Sequence, residues 1–325
     1  MKLLVTGGAG YIGSVVARQL LRAGHEVAIL DSLARGYRAA VPDAAELLEV
    51  DLLDAEATDR ALARGYDGVL HFAAFALVAE SVEFPERYWH NNVVGTRHLL
   101  DAMRTHGVDR LVFSSTCAVY GEPERVPMDE GTPTAPVNAY GASKLAVDLM
   151  LENECRAHDL GATSLRYFNV AGTSGDAGEA HDPETHVIPL ILQAAAGERE
   201  HFSIFGTDYP TPDGTAIRDY IHVEDLGEAH LLALDALTPG RHEIYNLGNG
   251  AGFSVREVVA AAERVVGRSI PAREEPRRPG DPPQLVAASE KIRRELGWKA
   301  SKPALETMIA DAWEWAQAHP NGYAE

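Results

Sequence analysis

A short apolar strand that breaks into glycines and resumes as an amphipathic helix leaves a chain few folds to choose from. Residues 1–13 read MKLLVTGGAGYIG. The run LLVT suits a buried strand, Gly7, Gly10 and Gly13 fall on the turn after it, and the apolar residues beyond take a helical period. Such a turn lets a pyrophosphate approach backbone amides at a helix N-terminus. A second strand, EVAIL, ends at Asp31. A carboxylate there accepts hydrogen bonds from a ribose diol and repels a 2′-phosphate, so NAD is expected rather than NADP. Asp51 and Leu52, ending the third strand-like run, would face the adenine.

The same rhythm persists through the first half. LLEV, GVLHFA, RLVFSS and TSLRYF are separated by segments of helical period at 13–23, 55–64, 84–105 and 138–158. Alternation of this kind predicts βαβ units, hence an α/β fold with a Rossmann-type, doubly wound parallel sheet. Past about residue 170 the loops GTSGDAGEAHDPETH, GTDYPTPDG and EEPRRPGDPPQ intervene, each followed by apolar elements. Helices are expected again at 254–266, where Ser254 and Glu257 form a capping box, and at 303–319. The expected organisation is a dinucleotide-binding domain over 1–170 and a smaller C-terminal α/β lobe over 171–325, with 219–237 returning to the first.

Forty-eight Asp and Glu against 29 Lys and Arg give a formal charge of −19. That field repels nucleic acid and anionic lipid, so neither is expected as a partner. An anionic ligand would need local arginines and helix N-termini. The two cysteines, Cys117 and Cys155, have no ligand or pairing pattern and read as thiols of a reducing compartment. With no signal-peptide core and no apolar run of membrane length, the expected location is the cytoplasm.

The stretch AYGASK sets Tyr140 and Lys144 four residues apart on one helix face. A phenol ionises near pH 10, so it serves as a base only if something stabilises its phenolate. The expectation is that the Lys144 ammonium, with the cationic ring of an oxidised nicotinamide, lowers the tyrosine, and that the small residues between them let substrate approach. Tyr140 would then exchange a hydroxyl proton while a hydride moves. In FSSTCAVYG, Ser114, Ser115 and Thr116 offer hydroxyls where the sheet opens, and Thr116 is the expected orienting group. HDPETH at 181–186 matches no zinc or iron spacing, so no metal is expected, and His71 and His222 read as core histidines.

TGGAGYIG, Thr116 with the run from Tyr140 to Lys144, LRYFNVAG and DYPTPDGTAIRDYIHVEDL together resemble the extended short-chain dehydrogenase/reductase family over nearly the whole chain, in its UDP-hexose 4-epimerase branch. The resemblance implies a retained NAD, oxidation of a UDP-sugar at C4, rotation of the 4-keto sugar and reduction from the other face, with UDP-glucose and UDP-galactose preferred. It implies catalytic roles for Tyr140, Lys144 and Thr116. Around the cofactor it implies Gly7, Gly10, Tyr11, Ile12, Gly13, Asp31 and Ser32, then Asp51, Leu52, Phe72, Ala73 and Ala74. Asn91, Ser114, Tyr140, Lys144 and Tyr167 complete that set. Around the UDP-sugar it implies Asn169, His186, Val187, Ser203, Phe205 and Arg218, then Tyr220, Arg278, Asp281 and Leu285, beside Thr116 and Tyr140.

Two departures from the family pattern bear on function. Ala76 stands where many relatives carry a lysine that reaches the cofactor. Leu285 takes the place of a tyrosine that gates against N-acetylated sugars, which leaves a UDP-N-acetylhexosamine epimerase as an alternative. A 4,6-dehydratase would want Asp-Glu after the threonine, where Cys117 and Ala118 stand, and a dinucleotide-sensing module would not need Tyr140 and Lys144. Relatives pair through two helices, here 84–105 and 138–158, which implies a homodimer.

Overall fold

The structure, a computed structural model, describes residues 1–278 and 280–323. The six expected strand runs form Lys2–Thr6, Glu26–Asp31, Glu46–Glu49, Gly68–His71, Arg110–Thr116 and Gly161–Tyr167. They lie in one sheet in the spatial order third, second, first, fourth, fifth, sixth, all parallel. The order reverses between the first and fourth strands, which opens a crevice at their carboxyl ends. Successive residues face opposite sides, so Leu4 joins one buried cluster with Leu99, Met103, Phe113 and Leu151, while Leu3 and Val5 join another with Val16, Leu20 and Leu226. Helices cover both faces, as a parallel sheet requires.

A seventh strand, His242–Leu247, pairs parallel with Gly161–Tyr167. The sequence rhythm does not reveal it, because it follows the loop-rich region and its apolar residues, Ile244, Tyr245 and Leu247, are too few to set a period. Before it, the helix Val223–Asp235 packs Leu226, Ala229 and Leu234 under the sheet against the first helix, Tyr11–Arg22. Thus chain well beyond residue 237 lies on the large sheet, and Trp298 follows it there, its Nε1 donating to Asp225 O at 2.9 Å. A third apolar cluster, with Ile191, Phe202, Val258 and Met308, is built from the C-terminal segments. Here Ser254 and Glu257 make the expected capping box on Val255–Val266.

The expected helix at 84–105 is interrupted. It divides into Pro85–Tyr88, a π-helical turn at Trp89–Val94 and Gly95–Thr105, and a short helix, Val78–Glu83, precedes it. π-turns recur at functional sites because the extra residue re-aims side chains.

Asp219 is the buried fastener of the C-terminal strands. It is fully buried, and its carboxylate accepts from Asn249 N at 2.9 Å and from Gly250 N and Ala287 N at 3.0 Å. Three donors converge where an amide NH2 could not also point. Asp219→Asn should therefore lose roughly 2–4 kcal/mol of stability, read as a lowered urea midpoint with an unchanged slope.

Candidate active site

The glycine turn separates into two kinds of glycine. A Cβ on Gly7, which has φ +71°, would sit 2.4 Å from Ala73 N, and one on Gly13 would sit 2.3 Å from Gly7 O. These two glycines are required by the chain's own packing. Gly10 is not, since a Cβ there would meet nothing nearer than Gly7 O at 3.4 Å. Gly10 is also the N-cap of Tyr11–Arg22, which has no side-chain cap and no acidic residue in its first turn. Open amides at a positive helix end, with a glycine that packing does not demand, fit the pyrophosphate of a dinucleotide.

Asp31 ends the second strand 8% exposed, its Oδ2 accepting from Ala9 N at 3.0 Å and its Oδ1 from Leu33 N at 2.9 Å. Each oxygen keeps a lone pair for a ribose hydroxyl. Tyr11 donates to Gly172 O at 2.5 Å, and Ile12 is half-buried beside it. Ser32 and Asp51 are exposed in turns, accepting from Ala34 N and Leu53 N, while Leu52 is packed into the core. Phe72, Ala73 and Ala74 leave the fourth strand half-buried, and Ala76 is exposed.

Asn92 is a residue that sequence reasoning missed beside its neighbour Asn91. It is 2% exposed, its Oδ1 accepts from Phe75 N at 2.8 Å, and its Nδ2 donates to Phe75 O and to Ser143 Oγ, both at 3.0 Å. One buried amide thus fixes the loop after the fourth strand to the residue between Tyr140 and Lys144. Asn91 Nδ2 donates to Asn92 Oδ1 at 3.0 Å. The doubled Asn in HNNVVGT was the available signal; the π-turn that aims it was not visible.

The helix Ala139–His158, capped by Asn138 on Gly141 N at 2.8 Å, carries Tyr140 and Lys144. Lys144 is 3% exposed, its Nζ donates to Ser114 O at 2.8 Å, and it lies 4.8 Å from the Phe113 ring centre. Ser114 Oγ and Tyr167 OH share a short hydrogen bond, and burial pushes the Tyr167 phenol up to about 12. Burial pulls the Lys144 ammonium down to about 7, although the Asp148 carboxylate one turn on opposes it. Burial also raises Tyr140 well above the ordinary phenol value, with Tyr167 adding to the rise and a hydrogen bond with Thr116 opposing it. The expected lowering of Tyr140 by the ammonium therefore does not follow from the protein's own groups, because desolvation outweighs it and the ammonium is engaged by Ser114 O.

Two of the small residues of AYGASK also have a packing cause beside the one expected. A Cβ on Gly141 would sit 2.4 Å from Ala118 O, and Ser143 is fully buried against Asn92. At these two positions the space is taken by the protein itself. His71, hydrogen-bonded to Thr6 Oγ1 at 2.6 Å and Thr96 Oγ1 at 2.8 Å, is held by burial at about 3 and is a core residue, as is His222.

On the other side of the crevice, Ser203 and Phe205 face the same way on the strand Phe202–Phe205 while Phe202 and Ile204 enter the core. The Arg278 guanidinium lies 3.8 Å from the Phe205 ring centre. Arg218, on Ile217–Arg218, pairs with Asp281, and Leu285 lies opposite it in register. Arg278 and Asp281 border a cavity of about 490 Å³ with Tyr209 and Arg277. Leu285 and Cys117 pack on one apolar cluster with Phe168, and burial pushes the Cys117 thiol up to about 12. Asn169 is tied by its Nδ2 to Asp219 O at 2.9 Å, and Tyr220 is buried in the third cluster. His186 is the N-cap of Val187–Ala196, its side chain 43% exposed.

Burial of Lys144 makes a stability prediction with a definite sign. An unfolded lysine keeps its proton to about 10.5 and the folded one to about 7, so between these values the unfolded chain binds more protons and stability rises with pH. The penalty is complete below about pH 7 and fades towards 10.5. It corresponds to about 5 kcal/mol, against roughly 1.5–3 kcal/mol for the lost hydrogen bond to a charged group. Lys144→Met should melt higher than the parent at neutral and acidic pH, with the gain vanishing in alkaline melts, while turnover falls by orders of magnitude.

Comparison with known proteins agrees with this geometry. A UDP-glucose 4-epimerase of Streptomyces lividans is 57% identical over 325 residues, covering 99% of this chain and 98% of its own. That of Corynebacterium glutamicum is 55% identical over 319 residues, covering 98% and 96%. A crystal structure of a UDP-glucose 4-epimerase superposes with a TM-score of 0.96 at 45% identity over 100% of both chains. The Bifidobacterium longum enzyme, solved in complex with NAD+ and UDP, superposes with a TM-score of 0.93 at 36% identity over 99% and 100%. Residues 3–248 match the NAD dependent epimerase/dehydratase family, and the chain belongs to that family.

Proposed function

We propose that the protein is an NAD-dependent UDP-hexose 4-epimerase that interconverts UDP-glucose and UDP-galactose. The observation that carries this is a half-buried Tyr140 and a buried Lys144 on one helix face against the end of the fifth strand, across the crevice from an uncapped glycine turn. When bound, NAD supplies a hydride acceptor and donor for C4 of the hexose. Tyr140 takes the C4 hydroxyl proton on oxidation and gives it back on reduction, so no net redox occurs. Thr116, beside Tyr140, orients that hydroxyl. Because burial raises the phenol, the positive charge needed to lower it comes from Lys144 together with the oxidised nicotinamide ring, which couples proton transfer to cofactor redox state. Arg218 and Arg278 hold the diphosphate and Phe205 the uracil, so the grip falls on the nucleotide and the hexose keeps room to turn.

The 4,6-dehydratase reading lacks its acid and base: Cys117 follows Thr116, and burial keeps it a thiol. Leu285 and Cys117 form the apolar wall that an N-acetyl group would meet.

A homodimer and a cytoplasmic location belong to the same proposal. The two cysteines are free, which supports a reducing compartment. Trp89, 43% exposed, and Leu149, 53% exposed, stand on the outer faces of the two helical segments expected to pair, with Val94 beside them. Large apolar groups so exposed favour a partner copy. Sedimentation should show a dimer, and Trp89→Asp with Leu149→Asp should yield monomer.

The activity test is conversion of UDP-glucose to UDP-galactose without added reductant. Tyr140→Phe should cut turnover by orders of magnitude with UDP affinity unchanged. Dehydration of the sugar in place of epimerisation, or full activity in that variant, would overturn the assignment. The same assay with UDP-N-acetylglucosamine reads what Leu285 permits.

A further inference from the structure

Glu179, His181, Glu184 and His186 converge although their linear spacing argued against a metal. Their donor atoms lie within 4.8 Å of one another. His186 Nδ1 is 2.8 Å from Glu179 Oε1 and 2.9 Å from Glu184 Oε1, and His181 Nδ1 is 3.1 Å from Glu179 Oε1 and 3.8 Å from Glu184 Oε2. Both ring nitrogens thus point into the space between the same two carboxylates. The carboxylate side chains are only 10% and 7% exposed. Among the described residues, no Lys or Arg forms an ion pair with either of them; Arg35, which donates to Asp182 O in the same loop at 2.9 Å, pairs with Glu80 instead.

Two buried carboxylates without an Arg or Lys partner leave two negative charges to neutralise, by two protons on the paired imidazoles or by one cation of charge two. With neutral imidazoles, one divalent cation does so and receives two nitrogen and two oxygen donors. We infer that Glu179, His181, Glu184 and His186 form a divalent metal site of the zinc class, structural in role. Imidazole with carboxylate suits zinc and its first-row neighbours, whereas magnesium and calcium prefer oxygen alone. Ligand bonds of about 2.0–2.1 Å in a tetrahedron set donors roughly 3.3–3.4 Å apart, so the pairs at 2.8, 2.9 and 3.1 Å open slightly while the wider ones, 3.8 Å and up to 4.8 Å, draw in. Glu184 is already anchored, its Oε1 accepting from Thr185 N at 2.6 Å and His186 N at 2.7 Å. Its Oε2 is the oxygen left for the metal.

The position gives the site a purpose. His181 lies edge-on to the ring of Tyr11 with centroids 6.5 Å apart, and His186 caps the helix Val187–Ala196. A metal here rivets the 172–186 loop between the glycine turn and the nucleotide-sugar side of the crevice.

The test takes the full chain, stripped with a chelator and then dialysed against low-micromolar zinc, with magnesium in a parallel cell. Metal per chain is measured by mass spectrometry, and melting is followed by circular dichroism. One zinc per chain, no retained magnesium and a higher melting temperature with zinc are expected. His181→Ala and Glu179→Gln should each lose the zinc and the melting shift; Glu179→Gln is nearly isosteric and keeps the fold testable if the alanine variant does not fold. Sub-stoichiometric zinc in the parent would overturn the site, leaving the four residues as a proton-bridged ion-pair cluster. Unchanged zinc in both variants would overturn it equally, placing the metal on other histidines.

Discussion

The hydrogen bond from Lys144 Nζ to Ser114 O, 2.8 Å long and buried, is the joint on which the rest of the site is assembled. An ammonium withdrawn from water must have an acceptor, and a strand-end carbonyl is the one available. That bond fixes the register of the helix Ala139–His158 against the strand Arg110–Thr116. Tyr140 then follows one turn before Lys144, and Thr116, two residues beyond Ser114, faces the same side of its strand. The trio is thus set by two regular elements and needs no loop to hold it. The tension in this joint is electrostatic: the lysine is pulled towards neutrality and the tyrosine away from ionisation, both by burial. A site strained in that direction becomes competent when further positive charge arrives beside it.

Much of the fold was legible in the sequence because a parallel sheet buried on both faces writes each strand as an apolar run, and a helix must follow each. The placing of Gly7, Gly10, Gly13, Asp31, Tyr140 and Lys144 was legible for the same reason: they sit at strand ends and on one helix, where spacing in sequence fixes spacing in space. His242–Leu247 was not, since a strand that joins the sheet after a long excursion through other elements leaves no local period to find. Asn92 was not, because its hydrogen bonds to Phe75 and Ser143 depend on a π-turn that no periodicity announces. The packing need at Gly141, between Tyr140 and Lys144, was hidden on similar grounds. Nothing in AYGASK says that Ala118 O lies 2.4 Å from where a Cβ on Gly141 would be.

The clustering of Glu179, His181, Glu184 and His186 shows the opposite limit of spacing arguments. On a helix the intervals between them would scatter the four side chains; in a folded-back loop the same intervals gather them. The loop is gathered between two fixed points, Gly172 O on Tyr11 and His186 at a helix start, so its ends carry the geometry that its sequence does not.

The net charge of −19 bears finally on how the arginine-bearing side of the crevice is built. At physiological ionic strength the unfavourable field is screened over about 8 Å, so a dianionic ligand is governed by what lies within contact distance. There the arginines are held before any ligand arrives. Arg218 is paired with Asp281, Arg277 with Asp208, and Arg278 is stacked on Phe205 at 3.8 Å. A guanidinium lying on a ring keeps its edge N–H groups free, so stacking fixes the cation without consuming the donors a phosphate needs. The entropy of ordering long side chains is thereby spent during folding, and the contact cations, not the field of the whole protein, determine whether a diphosphate stays.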